Sequence, residues 1–393
     1  MTMKIFDIAI IGGGMVGLAL AASLRNSPVK IAVIEGFPNK EPIEQLSNRV
    51  SAINLASEKM LQNLEVWQAL LNLRATAYDK MDVWEKDSFA QIQFDTQSLG
   101  LEHLGHIIEN HLIQNQLWQK VKMQKNVEII TALPHHLGLT ENNAILTTND
   151  GQMLSAKLIV GADGANSWVR KQADIPLIFR DYGHHALVCN VKTSESHKNC
   201  ARQIFNKDSI LAFLPLHQQN LCSIVWSLPP QQANELLNAE ENEFNKNLSV
   251  AFDNRLGLCK VRGERKVIPL TARYARSFAK HRIVLVGDAA HTIHPLAGLG
   301  VNLGFQDAVI LAQEINKNLA LRMDIGEYRY LRHYERCQKT AAVKMLVTMQ
   351  GLKELFNGDN PVKKLVRGIG LNTTNRFGFV KEQIMKQALG ISF

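Results

Sequence analysis

RIVLVGDAAHTIHPLAGLGVNLGFQDA, residues Arg282 to Ala308, reads as a buried apolar strand that runs into an Asp, then a Pro/Gly turn, then a helix. It gives weight to a second stretch near the N-terminus. There IAIIGGGMVGLAL places Gly12, Gly14 and Gly17 in the spacing of a dinucleotide fingerprint, and Glu35 closes the next apolar run, KIAVIE. A glycine-rich turn in an ordinary βαβ unit would look similar, but strand, helix, second strand and acid are all in place.

The chemistry of that fingerprint follows from its backbone. A strand from Ile5 to Ile11 must end in a turn tight enough to need glycine. A pyrophosphate can then sit on the following helix N-terminus, where unpaired N–H groups and the helix dipole favour an anion. Glu35 is positioned to accept hydrogen bonds from an adenosine ribose, and its charge disfavours a 2′-phosphate. FAD or NAD is therefore expected ahead of NADP.

A third segment chooses between them. AKLIVGADGANSWVR, from Ala156 to Arg170, is a buried strand ending at Gly161, followed by Asp163-Gly164, with Ser167 and Arg170 on the next helix. With Gly287-Asp288, these motifs resemble the class A flavoprotein aromatic hydroxylases, the family that includes para-hydroxybenzoate hydroxylase. RVSAIN from Arg49, VWEKDSF from Val83, GHIIEN from Gly105, FLPL from Phe213, CSIVWSL from Cys222, FDNRLG from Phe252 and LRHYER from Leu331 resemble its ubiquinone-biosynthesis branch, and within it the enzymes acting on 2-polyprenylphenols.

The resemblance implies an α/β fold in which a Rossmann-like FAD-binding domain is interleaved with a β-sheet substrate domain, with a helical C-terminus. It also implies a chemistry. NADH or NADPH acts as a transient reductant, reduced FAD reacts with molecular oxygen, and the resulting hydroperoxide hydroxylates the ring of a polyprenylphenol. Asp288 is expected to accept from ribityl hydroxyls, and Arg49, Asn110 and Asp163 to help hold the cofactor. The Pro295 carbonyl is a candidate for polarising the phenol. Backbone N–H groups of Gly298, Leu299 and Gly300 would face the flavin edge, where a helix end stabilises negative charge. The family reads Gly-Gln-Gly in that turn, so Leu299 is a departure. Two alternatives stay open: a flavin oxidoreductase that inserts no oxygen, and a non-catalytic flavoprotein subunit of a lipid-handling complex.

Composition bounds the rest. A chain of 393 residues with a 46% hydrophobic fraction can bury a sizeable core. A net charge of +8 suits an anionic membrane surface, an acidic partner or an ordinary basic enzyme. Nucleic acid is not expected, since basic residues are mixed with acids and no binding motif is present. The five scattered cysteines form no CxxC pair and read as thiols in a reducing compartment. No apolar run reaches the roughly 18–20 residues of a spanning helix. The expected location is the cytoplasm, free or peripheral at the inner membrane, with a homo-oligomer compatible.

Along the chain, residues 1–75, 103–178 and 276–330 are assigned to the FAD-binding domain, 76–102 and 179–275 to the substrate domain, and 331–393 to a helical C-terminal region. MDVWEKDSFAQIQFD and the run from His184 to Leu228 read as strands of the second sheet, Gln231 to Asn254 as a single helix, and Lys266 to Thr271 as a last strand. A helix from Asn110 to Met123 and a hairpin at Asn149-Asp150-Gly151 return to the first unit. Beyond Pro361, an apolar stripe flanked by Lys363, Lys364, Arg367, Arg376, Lys381 and Lys386 suits a bilayer, an acidic partner in a ubiquinone-biosynthesis complex, or the protein's own surface.

His103, His106 and His111 have tempting spacings, but no carboxylate or thiol set completes a site in the sequence, so no metal is expected. His291 and His294 read as structural hydrogen-bonders within the flavin motif. Trp226 and Phe213 suit either a prenyl pocket or the core.

Overall fold

The computed structural model describes residues 3–38, 41–86, 88, 91–97, 100–292, 300–356 and 389–390. Its first sheet is eight-stranded. The strand Lys4–Ile11 lies between Ile31–Ile34 on one side and Met153–Gly161 on the other, and Ile283–Leu285 follows beyond Met153–Gly161. These pairings are all parallel. Parallel strands covered on both faces read as unbroken apolar runs, and Ile8, Ala9, Ile10 and Ile11 are indeed all buried.

The helix Met15–Ser23, rich in Ala and Leu, returns over this sheet with Gly17 to Ala22 buried. It packs against the long helix Gly300–Ala320, which in turn meets Tyr328–Phe356.

The second sheet is also eight-stranded and largely antiparallel. Its centre is the strand Leu177–Thr193, paired along its length with Cys259–Ala275 and over its second half with Leu221–Leu228. Two register shifts, at Asp181/His184 and Val188/Asn190, bend this pair. A three-stranded sheet formed by Val50–Ile53, Thr76–Tyr78 and Gly105–Glu109 completes the strands described.

Two sequence expectations need correction. The last strand is not confined to Lys266 to Thr271 but spans Cys259–Ala275, its polar residues lying on an exposed face. The helix expected over Gln231 to Asn254 is two helices, Pro230–Asn238 and Glu241–Ala251. Ala239 and Glu240 are extended at the break. Arg265 explains the stop: its guanidinium donates to the Leu236 and Ala239 carbonyls at 2.9 and 2.8 Å and lies over the Phe244 ring. A cation thus satisfies the last carbonyls of the first helix from outside the segment. The Asn149-Asp150-Gly151 turn does join two antiparallel strands, Ala144–Thr148 and Met153–Gly161.

Of the cysteines, Cys189, Cys200, Cys222 and Cys259 are buried free thiols and Cys337 is half-buried. No helix among the described residues is long and apolar enough to cross a membrane.

Arg282 is the largest fully buried side chain described, 1% exposed. It donates to the Glu141 and Lys157 carbonyls and to both oxygens of Asp324, locking the edge of the first sheet to the loop between the two long helices. Replacing it leaves buried carbonyls unpaired. Arg282→Met should lower unfolding free energy by about 3 kcal/mol, read from the urea midpoint.

Candidate active site

Strand register brings the three glycine motifs together. Ile11 pairs with Ile34 on one side and Gly161 on the other, and Gly161 pairs with Leu285. The four strands therefore end in one row, from which Gly12, Glu35, Asp163 and Asp288 emerge side by side. The row is the carboxyl edge of a parallel sheet, and the chain leaves Lys4–Ile11 toward neighbours on opposite sides. Ligands bind at such a switch point.

Each glycine of the fingerprint has a separate task. Gly12 has φ +110°, and a Cβ there would collide with the Ala162 carbonyl oxygen. A Cβ on Gly17 would strike the Gly12 carbonyl oxygen. Both are needed by the fold itself. Gly14, extended at the start of the Met15–Ser23 helix, has nothing among the described residues within 4 Å of its Cβ position. Its space is open to an approaching group at a helix N-terminus, where a pyrophosphate fits.

Glu35 accepts from the Gly13 and Phe37 N–H groups, each at 2.7 Å, which orients a carboxylate with lone pairs left for ribose hydroxyls. Asn110 and Arg49 lie together: the Asn110 N–H donates to the Arg49 carbonyl at 2.9 Å, and the Asn110 side chain accepts from the buried Ser51 hydroxyl at 2.7 Å. Gln114, one turn later, donates to the Gly13 carbonyl at 2.8 Å, and Trp118 lies against Gly13. Asn110, Gln114 and Trp118 form one helical face on the fingerprint turn. Their i, i+4, i+8 spacing was readable, but sequence reasoning missed Gln114 and Trp118.

Asp163 caps the short Trp168–Gln172 helix, with Oδ2 accepting from the Trp168 and Val169 N–H groups at 2.7 and 3.0 Å. Its Oδ1 is buried with no hydrogen-bond partner among the described residues. A buried carboxylate oxygen left open is what a cofactor hydroxyl or amide would satisfy. Arg170 links this motif to the next, donating to the Ala289 and Ala165 carbonyls.

Asp288 keeps exposed surface although many protein atoms surround it. Enclosure raises its pKa, only partly countered by the charges of His291, Arg49 and Arg273. Arg273, also missed in the sequence, donates to the Ala165 carbonyl and the Asn166 side chain. Gly300 opens the long helix, with nothing among the described residues within 4 Å of its Cβ position. Pro295, Gly298, Leu299 and His294 lie outside the described residues.

Beneath Asp288 is a buried network centred on Asp307. Its Oδ2 accepts from the Gly287 N–H and meets His291 Nε2, each at 2.7 Å, while Oδ1 accepts from Gln338 at 2.6 Å. Burial opposes the charged form of His291, yet the Asp307 carboxylate, aided by Asp288, outweighs it and raises the histidine's pKa.

Other expectations resolve differently. Phe213 and Trp226 belong to the core beneath the Glu241–Ala251 helix, Phe213 stacking on Phe252 at 3.8 Å. The opposite face of that sheet carries Tyr182, Ala186, Val188, Leu270 and Ala272, with Val225 and Leu346 against them. The view that no carboxylate accompanies the histidines is also corrected. Glu58 approaches both His103 and His106, whereas His111 faces Glu41 and Glu109. The basic stripe lies outside the described residues, but Leu389 is buried beside Tyr78 and Leu104.

Two outcomes are expected. Gly14→Val should fold, since nothing occupies that space, but lose FAD binding, measured as flavin absorbance per chain; undiminished flavin content would remove the site from Gly14. His291 ordinarily titrates near 6.5. With its folded pKa raised, the stability from its pairing is complete below that value and is lost as pH climbs through the raised one. Asp307→Asn should flatten this decline in urea titrations across pH, and a slope equal to wild type would contradict the pairing.

Comparison with known proteins agrees with this geometry. A family model described as FAD binding domain matches residues 6–346. The 3-demethoxyubiquinol 3-hydroxylase of Escherichia coli K12 is 34% identical over the whole of both chains. The ubiquinone biosynthesis monooxygenase COQ6 of Xenopus tropicalis is 33% identical, covering 97% of this chain and 92% of its own. Among solved structures, p-nitrophenol 4-monooxygenase PnpA from Pseudomonas putida superposes with a TM-score of 0.81 at 19% identity, covering 98% and 99% of the two chains, which bears on the fold alone. The chain belongs to the FAD-binding family of class A flavoprotein hydroxylases that contains the ubiquinone-biosynthesis monooxygenases.

Proposed function

We propose that the protein is an FAD-dependent monooxygenase that hydroxylates the aromatic ring of a polyprenylphenol in ubiquinone biosynthesis, using NADH or NADPH and molecular oxygen. The observation that carries this reading is the shared strand-end row from which Gly12, Glu35, Asp163 and Asp288 emerge. The interleaved sheets support assigning 1–75, 103–178 and 276–330 to the cofactor, 76–102 and 179–275 to the substrate, and 331–393 to a helical remainder.

Gly12, Gly14 and Gly17 form the pyrophosphate turn, Glu35 binds the ribose, and Asp163 and Asp288 accept from the cofactor's polar groups. Arg49 and Asn110 close the cradle at its outer side. FAD held there by these residues would supply the redox chemistry, hydride acceptance and oxygen activation, that the side chains themselves lack.

The chain's own groups hold and shield that chemistry. The N-terminus of Gly300–Ala320 would offer backbone N–H groups and a positive dipole end to negative charge on a reduced flavin ring. Gly298, Leu299 and Gly300 would provide that edge and the Pro295 carbonyl would polarise the phenol; three of these four residues lie outside the described ones, so their roles rest on family resemblance. The apolar face carrying Val188, Val225 and Leu270 is the wall along which we place the prenyl chain. Small side chains at Ala186 and Ala272 leave it low, and its apolar stretch suits a hydrocarbon chain.

Isotope labelling distinguishes the reaction from flavin reduction without oxygen insertion and from a non-catalytic role. Supplied with NADPH, a prenylphenol and 18O2, the purified protein should place label in the new hydroxyl. Label-free product, or flavin turnover without product, would overturn the proposal. Val225→Thr, nearly isosteric but polar, should raise KM for a long-tailed phenol about tenfold while short-tailed phenols change little. Equal effects on both would move the prenyl chain elsewhere.

A further inference from the structure

Away from the flavin row, one cluster of ligating side chains has no part in the chemistry above. Glu58 comes from the Leu55–Asn63 helix, His106 from the strand Gly105–Glu109, and His103 from the turn before that strand. One ligand atom from each lies within 4.8 Å of the others. Glu58 Oε2 is 2.8 Å from His103 Nε2 and 3.2 Å from His106 Nδ1.

Hydrogen bonding does not account for the whole arrangement. His106 is 5% exposed, and its Nδ1, 3.2 Å from the same carboxylate oxygen, makes no well-directed hydrogen bond among the described residues. A buried ring nitrogen so placed lacks what a positive centre between the three groups would supply. The rings are held from outside the cluster: Trp67 packs edge-on against His106 at 4.9 Å, and the two imidazoles lie 4.4 Å apart at 73°. Gln62 donates to the other Glu58 oxygen at 3.1 Å, orienting the carboxylate as outer partners of metal ligands do.

We propose that Glu58, His103 and His106 form a binding site for one zinc-class divalent transition-metal ion. Two imidazoles and one carboxylate are borderline donors that suit such an ion and not Mg2+ or Ca2+, which take oxygen. Bonds of about 2.0–2.2 Å to each ligand require donor separations of roughly 3.3–3.6 Å, so on binding the 2.8 and 3.2 Å separations from Glu58 would open by a few tenths of an ångström, within side-chain rotation. His103 is the most exposed of the three, which leaves a fourth position for water on its side.

The site is a clip more than a catalyst. The helix that bears Glu58 starts at Asn54, whose N–H donates to Asn302 on the long cofactor helix. A metal there would fasten this helix to the strand leading into Glu109 and Asn110, so occupancy should stiffen the outer wall of the cofactor cradle without touching FAD.

The test uses the FAD-loaded full chain, stripped with a chelator and titrated with Zn2+ against a chromophoric competitor. One equivalent should bind per chain, raise Tm by several degrees and leave flavin content unchanged. His103→Gln and Glu58→Gln should each weaken binding at least about a hundredfold while retaining FAD. Co2+ bound to the wild type should give the intense visible bands of a four- or five-coordinate site, which needs no variant to fold. Absence of a saturable site, undiminished affinity in both variants, a weak octahedral Co2+ spectrum, or displacement by equal Mg2+ would each overturn the proposal.

Discussion

The Asp307 carboxylate, fully buried in the helix that covers the nucleotide turn, is the constraint on which the site's geometry depends. It gathers the Gly287 N–H, the His291 ring and the Gln338 amide, groups from the turn, the short strand after it and the final long helix. A charge with no access to water must be met by donors in fixed directions, so these elements cannot shift independently. Tyr334 adds a bond from the same Tyr328–Phe356 helix to the Leu285 carbonyl, two residues before Gly287. The helix crossing above is equally fixed, because Val16 fills the space that a Cβ on Gly304 would need. Asp288 therefore takes its position from what lies under it.

Much of this was legible in the sequence, for reasons that differ by element. Strands buried on both faces announce themselves as apolar runs, and the three motif strands did so. What they could not announce was register. Whether Ile11, Gly161 and Leu285 end level or staggered depends on pairings between residues far apart in the chain.

Polar partners were harder still. Asp307 and Gln338 look like ordinary helical residues until the helices cross, and Glu58 precedes His103 by 45 residues. The break at Ala239 carried no Pro or Gly, since Arg265 ends that helix from across the sheet. Phe213 and Trp226 were ambiguous for another reason. Alternation predicts that two faces exist but not which one meets the helices, and both residues belong to the covered face.

The order in which the first sheet is assembled has a kinetic consequence. Its central strand is made first, at Lys4–Ile11, but one neighbour arrives at Met153–Gly161 and the next only at Ile283–Leu285. Contacts of such sequence separation are slow to form, and parallel pairing is slower than local hairpins. At roughly 5–20 residues per second, a ribosome needs tens of seconds to deliver the last of these strands. Over that interval the nascent chain carries an unpaired, strongly apolar strand edge, whereas the second sheet's hairpins can close as they emerge. The row of strand ends that forms the cofactor turn is thus complete only once Ile283–Leu285 has emerged.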